Sequence, residues 1–176
     1  MINSNSHLFR YCPHCGRDTL SAACQKSFFC LQCNFKFYLN TASACIALIF
    51  NQKRELLVTR RKHDPAKEML DFPGGFAEPG ETIEDSLIRE IKEELNLELG
   101  SFAYFCSVPN TYIFRSVTYS IMDFAFLCSV NDFGPVTARD DIQDFYFLKP
   151  ATINKNDFGF ESSKIIIDRI INWKGL

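Results

Sequence analysis

Three acidic residues near the middle of this 176-residue chain have the types and spacing that bind metal ions. Glu90, Glu93 and Glu94 stand at positions i, i+3 and i+4, which makes them neighbours on one face of a helix. Neighbouring carboxylates repel one another, and Mg²⁺ would relieve that repulsion because it prefers carboxylate oxygens. The competing interpretation of Arg89–Glu94 is an ordinary solvated face of alternating charges, and the spacing alone leaves both open.

A second set of candidate ligands lies near the N-terminus. Four cysteines form two C-x2-C pairs that are separated by fourteen residues: Cys12, Cys15, Cys30 and Cys33. This is the spacing of a zinc ribbon, in which four thiolates close a tetrahedral structural site. Two disulfides or four unpaired thiols are the alternatives. The other four cysteines lack such pairing and are interpreted as small buried hydrophobic residues: Cys24, Cys45, Cys106 and Cys128.

The helix that must position the glutamates is indicated at both ends. Thr82 followed by Asp85 is typical of an N-terminal capping box, and Asn96 stands where a left-handed residue ends many helices. Apolar residues recur between these ends at helical spacing and predict one buried stripe: Ile83, Leu87, Ile88, Ile91 and Leu95. The three glutamates lie beside that stripe, at the predicted edge of a cleft. The glycine-containing loop 71–75 brings the backbone close to the helix.

Taken together, residues 75–97 resemble the signature of the Nudix hydrolase family, G-x5-E-x7-R-E-U-x-E-E-x-G-U, where U is a bulky aliphatic residue. One position departs from it, since Asn96 replaces the penultimate glycine, and asparagine adopts the same turn. The matching positions are Gly75, Glu81, Arg89, Glu90, Ile91, Glu93, Glu94 and Leu97.

The resemblance implies an α/β fold, the Nudix α/β/α sandwich with a mixed sheet, over residues 41–176, preceded by a small zinc ribbon at residues 1–40. Within the larger domain, Ala44–Phe50 and Glu55–Arg60 are predicted as strands that a polar turn joins into a hairpin. A terminal helix is predicted to begin at Ser162 or Ser163.

Nudix enzymes hydrolyse the diphosphate linkage of a nucleoside diphosphate joined to another group, with Mg²⁺ or Mn²⁺ as cofactor. By position, Glu90, Glu93 and Glu94 would hold the ion with the Gly74 carbonyl as a further ligand. Arg89 and Glu81 would brace the loop and the helix as an ion pair.

The remaining candidate site residues are less specific. Arg61 matches a position that can contact substrate phosphates, although a cation without a function at a strand edge is an equal alternative. The general base is either a glutamate of the signature or an acid from a later loop. Asp140, Asp141 and Asp144 are the candidates there, with Asp141 carried forward.

A ribbon followed by a Nudix domain is the order found in NADH pyrophosphatases. Those enzymes carry a motif similar to S-Q-P-W-P-F-P-x-S after the signature, whereas residues 106–114 here read C-S-V-P-N-T-Y-I-F. We therefore expect an ADP-ribose or nucleotide-sugar type of substrate, with NADH or NAD second. A non-catalytic nucleotide sensor is the third reading, and the intact acidic signature argues against it.

Composition constrains the partners. A formal net charge of −2 predicts no general attraction to nucleic acid or to anionic membranes. The longest apolar run, Ala42–Phe50, is too short to span a bilayer, and the polar start of the chain shows no signal peptide, so we expect a cytoplasmic protein. The scattered basic residues of the ribbon leave nucleic-acid binding and support of a homodimer both open.

Overall fold

The computed structural model describes residues 3–173, so the ends of both predicted domains, residues 1–2 and 174–176, lie outside the described residues. The chain divides into two compact units. The first runs to Thr41 and includes Thr111–Ser120, and the second contains Ala42–Asn110 and the chain from Ile121 onward. The assignment of residues 1–40 and 41–176 to separate functional domains stays a prediction.

The first unit is built on a three-stranded antiparallel sheet of β1 (Leu20–Cys24), β2 (Ser27–Cys30) and β3 (Lys36–Tyr38). Its core is small: the buried cluster consists of Cys12, Leu20, Phe28 and Cys30. So few apolar residues supply little burial energy, and a unit of this size typically needs a metal or a disulfide to fold.

The second unit contains both α-helices and the remaining strands, apart from Thr111–Ser120, where two consecutive strands extend into the first unit. In chain order the elements are β4 (Ala42–Ile49), β5 (Leu56–Arg61), β6 (Leu70–Asp71), α1 (Ile83–Leu95), β7 (Leu99–Phe114), β8 (Val117–Val130), β9 (Ile142–Leu148) and α2 (Glu161–Ile171). One sheet has the order β4-β8-β7, with β4 parallel to β8, and the other has the order β6-β5-β9 with antiparallel pairs.

The two helices cover opposite faces of these strands. Along β4, Ile46 and Leu48 belong to the buried cluster that includes Ile166 of α2. Cys45 and Ala47 alternate with them and belong to the cluster that includes Leu87, Ile91 and Leu95 of α1. Because successive side chains of a strand point to opposite faces, this alternation defines an α/β/α sandwich and confirms the predicted fold class.

Two local predictions are wrong. β4 and β5 do not form a hairpin: they lie in different sheets, and Phe50–Leu56 is the one bridge between them among residues 3–173. β4 is buried on both faces and pairs with β8 instead, as a parallel strand inside a sandwich does. Helix α2 begins after Phe160, so Ser162 and Ser163 lie inside its first turn and do not cap it.

No helix within residues 3–173 is long and apolar enough to cross a membrane.

Candidate active site and metal centres

Helix α1 has the predicted ends. The Thr82 hydroxyl accepts a hydrogen bond from the Asp85 backbone N–H at 3.1 Å, and Asn96 is left-handed with φ 54°. The apolar stripe is fully buried at Leu87, Ile91 and Leu95. The prediction was wrong for Ile88, which is 48% exposed. The helix is therefore fixed in rotation, and the glutamates next to the stripe have a defined direction.

Glu94 is the most deeply buried of the three glutamates, at 7% exposure. The Gly74 backbone N–H, twenty residues earlier in the chain, donates to its Oε2 at 2.9 Å. The loop that carries Gly74 is tied to β4 on both sides: Cys45 N–H donates to the Gly75 carbonyl and Ala47 N–H to the Pro73 carbonyl. The sheet thus presents the loop backbone to the helix.

The close approach of loop and helix requires glycine at two positions. Gly74 has φ +139°, and a Cβ there would lie 2.2 Å from the Cys45 carbonyl oxygen. A Cβ on Gly75 would lie 2.4 Å from Glu90 Oε1. A side chain at either position would displace the backbone or a carboxylate.

Arg89 connects helix α1 to the loop before it through several hydrogen bonds. Its Nε and Nη2 bind the two oxygens of Glu81 at 2.7 and 3.0 Å, and Nη2 also donates to the Phe76 carbonyl at 3.0 Å. Glu81 in turn accepts the Glu78 backbone N–H at 2.9 Å. The hydrogen bonds from Arg89 are the main cause that lowers the pKa of Glu81 to about 2. The ion pair is present, and its role as a brace stays a prediction.

Arg89 makes two further contacts that the sequence reasoning did not include. Its Nη1 donates to Glu90 at 2.9 Å and to Glu93 at 3.1 Å. The i,i+4 spacing of Arg89 and Glu93 was a signal for the second of these pairs. One guanidinium therefore partly neutralises two of the three candidate metal ligands.

The electrostatics of the glutamates fit a cation site. Burial raises the pKa of Glu94 well above the ordinary value, and the negative charges of Glu90, Asp71 and Asp141 raise it further. Burial also raises the pKa of Glu90, against the opposing effect of Arg89. Oxygen donors whose charges repel one another at a partly buried site suit a hard divalent cation.

These carboxylates are not gathered around one point. Within residues 3–173, the one group of three or more His, Cys, Asp or Glu side chains placed closely enough to hold a metal ion is the cysteine cluster. The three glutamates share a face, and a protein donor binds one oxygen of each: Arg89 Nη1 binds Glu90 and Glu93, and the Gly74 N–H binds Glu94. Each carboxylate has a second oxygen that can serve as a ligand.

Arg61 is held by the protein on three sides. Its Nη1 lies 3.2 Å from Asp71 Oδ2, its Nε donates to the Pro65 carbonyl at 2.8 Å, and its guanidinium carbon lies 5.0 Å from the centre of the Phe160 ring. Asp71 also accepts a hydrogen bond from the Ser163 hydroxyl. Contact between Arg61 and a substrate phosphate stays a prediction.

Two of the three candidate bases lie near α1. The loop that carries Asp140 and Asp141 meets the helix where Arg139 N–H donates to the Glu94 carbonyl at 2.8 Å. Asp141 is exposed, and its Oδ1 lies 3.9 Å from His63 Nε2. The carboxylate of Asp144, on β9, instead accepts the Tyr146 hydroxyl at 3.0 Å. The geometry therefore favours the loop pair over Asp144 as a source of the base.

Comparison with known proteins decides the family. Residues 39–168 match the family model described as NUDIX domain. The chain belongs to the Nudix family. An ADP-ribose pyrophosphatase from Methanocaldococcus jannaschii is 32% identical over 142 residues, which cover 80% of this chain and 79% of that protein. A NAD-capped RNA hydrolase NudC from Pseudomonas fluorescens is 34% identical over 95 residues, covering 54% of this chain and 34% of the relative.

Solved structures agree on the Nudix fold. A NUDIX hydrolase from Nitrosomonas europaea superposes with a TM-score of 0.70 at 17% identity, covering 94% of this chain and 92% of that one. A bifunctional NMN adenylyltransferase/ADP ribose pyrophosphatase from Francisella tularensis, complexed with AMP and a Mn ion, has a TM-score of 0.58 at 24% identity, covering 77% and 42%. The predicted family is confirmed.

The cysteines of this Nudix protein form a compact cluster in the first unit. The Sγ atoms of Cys12 and Cys33 lie 3.7 Å apart, as do those of Cys15 and Cys30, and all four lie within 4.8 Å of one another. Zinc–sulfur bonds of 2.3 Å at tetrahedral angles imply sulfur separations of about 3.8 Å. The cluster therefore fits a zinc ion.

Sequence reasoning missed one residue at the cysteine cluster. The Thr19 hydroxyl lies 3.2 Å from Cys30 Sγ, and this hydrogen bond is the main cause that lowers the pKa of the Cys30 thiol. The Thr19 carbonyl also accepts the Leu31 backbone N–H. Thr19 lies outside both C-x2-C pairs, so the cysteine spacing carried no signal for it.

Proposed function

We propose that this Nudix protein hydrolyses the diphosphate linkage of a nucleoside diphosphate joined to a second group, with substrates of the ADP-ribose or nucleotide-sugar type. The observation that carries the proposal is the buried Glu94 carboxylate, held by the Gly74 N–H beside Glu90 on one helix face. The similarity to a pyrophosphatase named for ADP-ribose, over four fifths of the chain, supports this choice of substrate.

Mg²⁺ or Mn²⁺ would be held by Glu90, Glu93 and Glu94 together with the Gly74 carbonyl. All four supply hard oxygen donors, which these ions prefer. When bound, the cation neutralises phosphate charge and lowers the pKa of a coordinated water.

The other site residues hold the loop, orient the substrate or accept a proton. Arg89 and Glu81 keep the glycine loop against α1, so that the Gly74 N–H and the carboxylates keep their separation. Arg61 orients the diphosphate through its remaining N–H groups. Asp141, exposed in the loop beside α1, accepts the proton of the attacking water.

NADH or NAD hydrolysis is the second candidate. The cysteine cluster and the similarity to NAD-capped RNA hydrolases favour it, although the matches to those relatives span only about a third of their length. Residues 106–114 lack the dinucleotide motif and favour the ADP-ribose type. Structural zinc at the four cysteines is compatible with both substrate types. Assembly into a homodimer stays a prediction.

A substrate screen separates the two candidates. The purified protein with Mg²⁺ is incubated with ADP-ribose, a nucleotide sugar and NADH, and the monophosphate products are measured by phosphate release after phosphatase treatment. We expect ADP-ribose or the nucleotide sugar to react faster than NADH. Faster hydrolysis of NADH would reverse the order of the candidates.

A matched pair of variants tests whether α1 is catalytic. Glu94→Gln keeps an oxygen for the Gly74 N–H but loses the charge, so we expect kcat to fall by at least about 100-fold, as when other transition-state charge interactions are removed. Glu98→Gln is the control, because Glu98 is exposed and pairs only with Lys92 among the described residues. Full activity of Glu94→Gln would overturn the catalytic role of Glu94, and ligand binding without hydrolysis by the unmodified protein would indicate a sensor.

A further inference from the structure

The first unit is basic, while the rest of the chain is acidic. Its two segments contain five basic residues and one acidic residue, whereas the remainder contains fourteen basic and twenty acidic residues. Arg10 is paired with the single acid, Asp18. The other four cations form no ion pair with any residue between 3 and 173: Arg17, Lys26, Lys36 and Arg115. Such asymmetry is typical of a unit that meets a polyanion.

The strand register places three of the first unit's side chains on one face of its sheet. Phe29 of β2 lies opposite Lys36 of β3, and Ser27 lies opposite Tyr38. Directly paired residues point to the same face, and every second residue of a strand does so as well. Phe29, Lys36 and Tyr38 therefore share the face opposite the buried pair that Phe28 and Phe37 form in the small core.

This face carries an exposed aromatic ring beside a cation. Tyr38 is 45% exposed, and Lys36 Nζ lies 5.2 Å from the centre of its ring. Phe29 is half-buried on the neighbouring strand. An exposed ring on a sheet with a cation next to it can stack a base while the cation contacts a phosphate.

A polar cavity of about 530 Å³ lies at the end of this face, within the same unit. Cys24 lines it together with Gln25, Lys26 and Thr118. Cys24 lies on the same face as Tyr38, because it pairs with Ser27 and Ser27 pairs with Tyr38. Its volume is in the range of pockets that hold small molecules. A lining of amides, hydroxyls and one ammonium group suits a sugar and a phosphate better than an apolar group.

We propose that this face of the first unit binds single-stranded nucleic acid. A base stacks on Tyr38 next to Phe29, Lys36 and Lys26 contact phosphates, and the cavity receives an adjacent sugar-phosphate. Stacking requires an unpaired base, which a duplex does not offer. An anionic lipid surface could pair with the cations, but it has no aromatic ring that could stack on the Tyr38 side chain. This inference is independent of the proposed hydrolase activity.

The test uses the full-length, zinc-loaded protein without Mg²⁺ and a fluorescein-labelled uridine oligonucleotide, followed by anisotropy. We expect Tyr38→Ala to weaken binding about 5- to 150-fold, the range for removing one stacked base. Tyr38→Phe keeps the ring and should bind within about twofold of the wild type. Lys36→Gln should lower the dependence of log K on log salt by about 0.7, the contribution of one phosphate contact on a single strand.

Two outcomes would overturn the inference. One is no binding up to about 100 µM protein, which is the weak limit of non-specific binding. The other is equal binding by Tyr38→Ala and the wild type. Vesicles containing phosphatidylserine are a parallel probe, and binding to these without binding to the oligonucleotide would favour a membrane. Unchanged zinc content of each variant verifies that the first unit is folded.

Discussion

The two candidate metal centres differ in how closely the fold brings their ligand atoms together. In the first unit, four sulfur atoms lie within 4.8 Å of one another, at separations that suit tetrahedral zinc. On α1, the carboxylates share a face but are engaged by other partners, Arg89 for Glu90 and Glu93 and the Gly74 N–H for Glu94.

This difference follows from what each centre has to do. A structural site is closed and contributes folding energy to a unit whose buried cluster has only four members. A catalytic site must keep a position open for water and substrate. The Arg89 guanidinium partly neutralises the neighbouring Glu90 and Glu93 carboxylates, which would otherwise repel one another.

Removing one thiolate should have the largest effect. Cys15→Ser is expected to lower the zinc content from one ion per chain to a small fraction of that. The first unit should unfold, since zinc binding supplies about 10 kcal/mol or more in comparable small domains. Zinc content by atomic emission and amide hydrogen exchange measure the two effects. Cys24→Ser is the control, because Cys24 is exposed and outside the cluster. Stoichiometric zinc in Cys15→Ser would contradict a closed zinc site.

Gly75→Ala tests the separation of loop and helix at the other centre. The added Cβ would collide with the Glu90 carboxylate, so we expect kcat to fall by about 100-fold, as a misplacement of about 1 Å can cause. Steady-state hydrolysis of the best substrate measures this. Gly134→Ala is the matched control, because the nearest atom to its Cβ is an oxygen of the exposed Asp132 side chain. Equal activity of both variants would show that the position of Glu90 does not matter.

Variants of Thr19 test whether its hydrogen bond to Cys30 contributes to zinc affinity. Thr19→Val removes the hydroxyl that lies by Cys30 and keeps the shape, so zinc affinity in a chelator competition should fall about 10- to 100-fold, as it does for other outer partners of metal ligands. Thr19→Ser keeps the hydroxyl and should stay near the wild type. Identical affinities in all three proteins would exclude a contribution from this hydrogen bond.

The smallest effect concerns pH. Because the pKa values of Glu94 and Glu90 are raised, protons compete with Mg²⁺ at these carboxylates as the pH falls. The Mg²⁺ concentration for half-maximal activity should therefore be higher at pH 6 than at pH 8 by up to about tenfold, the effect of one displaced proton over one pH unit. Glu81, whose pKa is about 2, stays ionised throughout and does not contribute. The same half-maximal Mg²⁺ concentration at both pH values would show that protons and the cation do not compete.

Local chemistry explains which features could be predicted. The Thr82 cap, the left-handed Asn96, the apolar stripe of α1 and the cysteine pairs each depend on residues a few positions apart, where spacing determines geometry. The hairpin prediction failed although the turn residues were correct. Pairing of β4 with β8, about eighty positions away, depends on burial of both faces of β4, which a short window does not show.

From its sequence alone, this protein is defined as a Nudix chain with four cysteines and three glutamates at metal-binding spacing. Tertiary structure alone decided two of their contacts: the Gly74 N–H with Glu94 and Thr19 with Cys30. The physical reason is distance along the chain. Helical and knuckle spacing is set by backbone geometry, whereas contacts across ten or twenty residues exist only after the sheets bring the loops together.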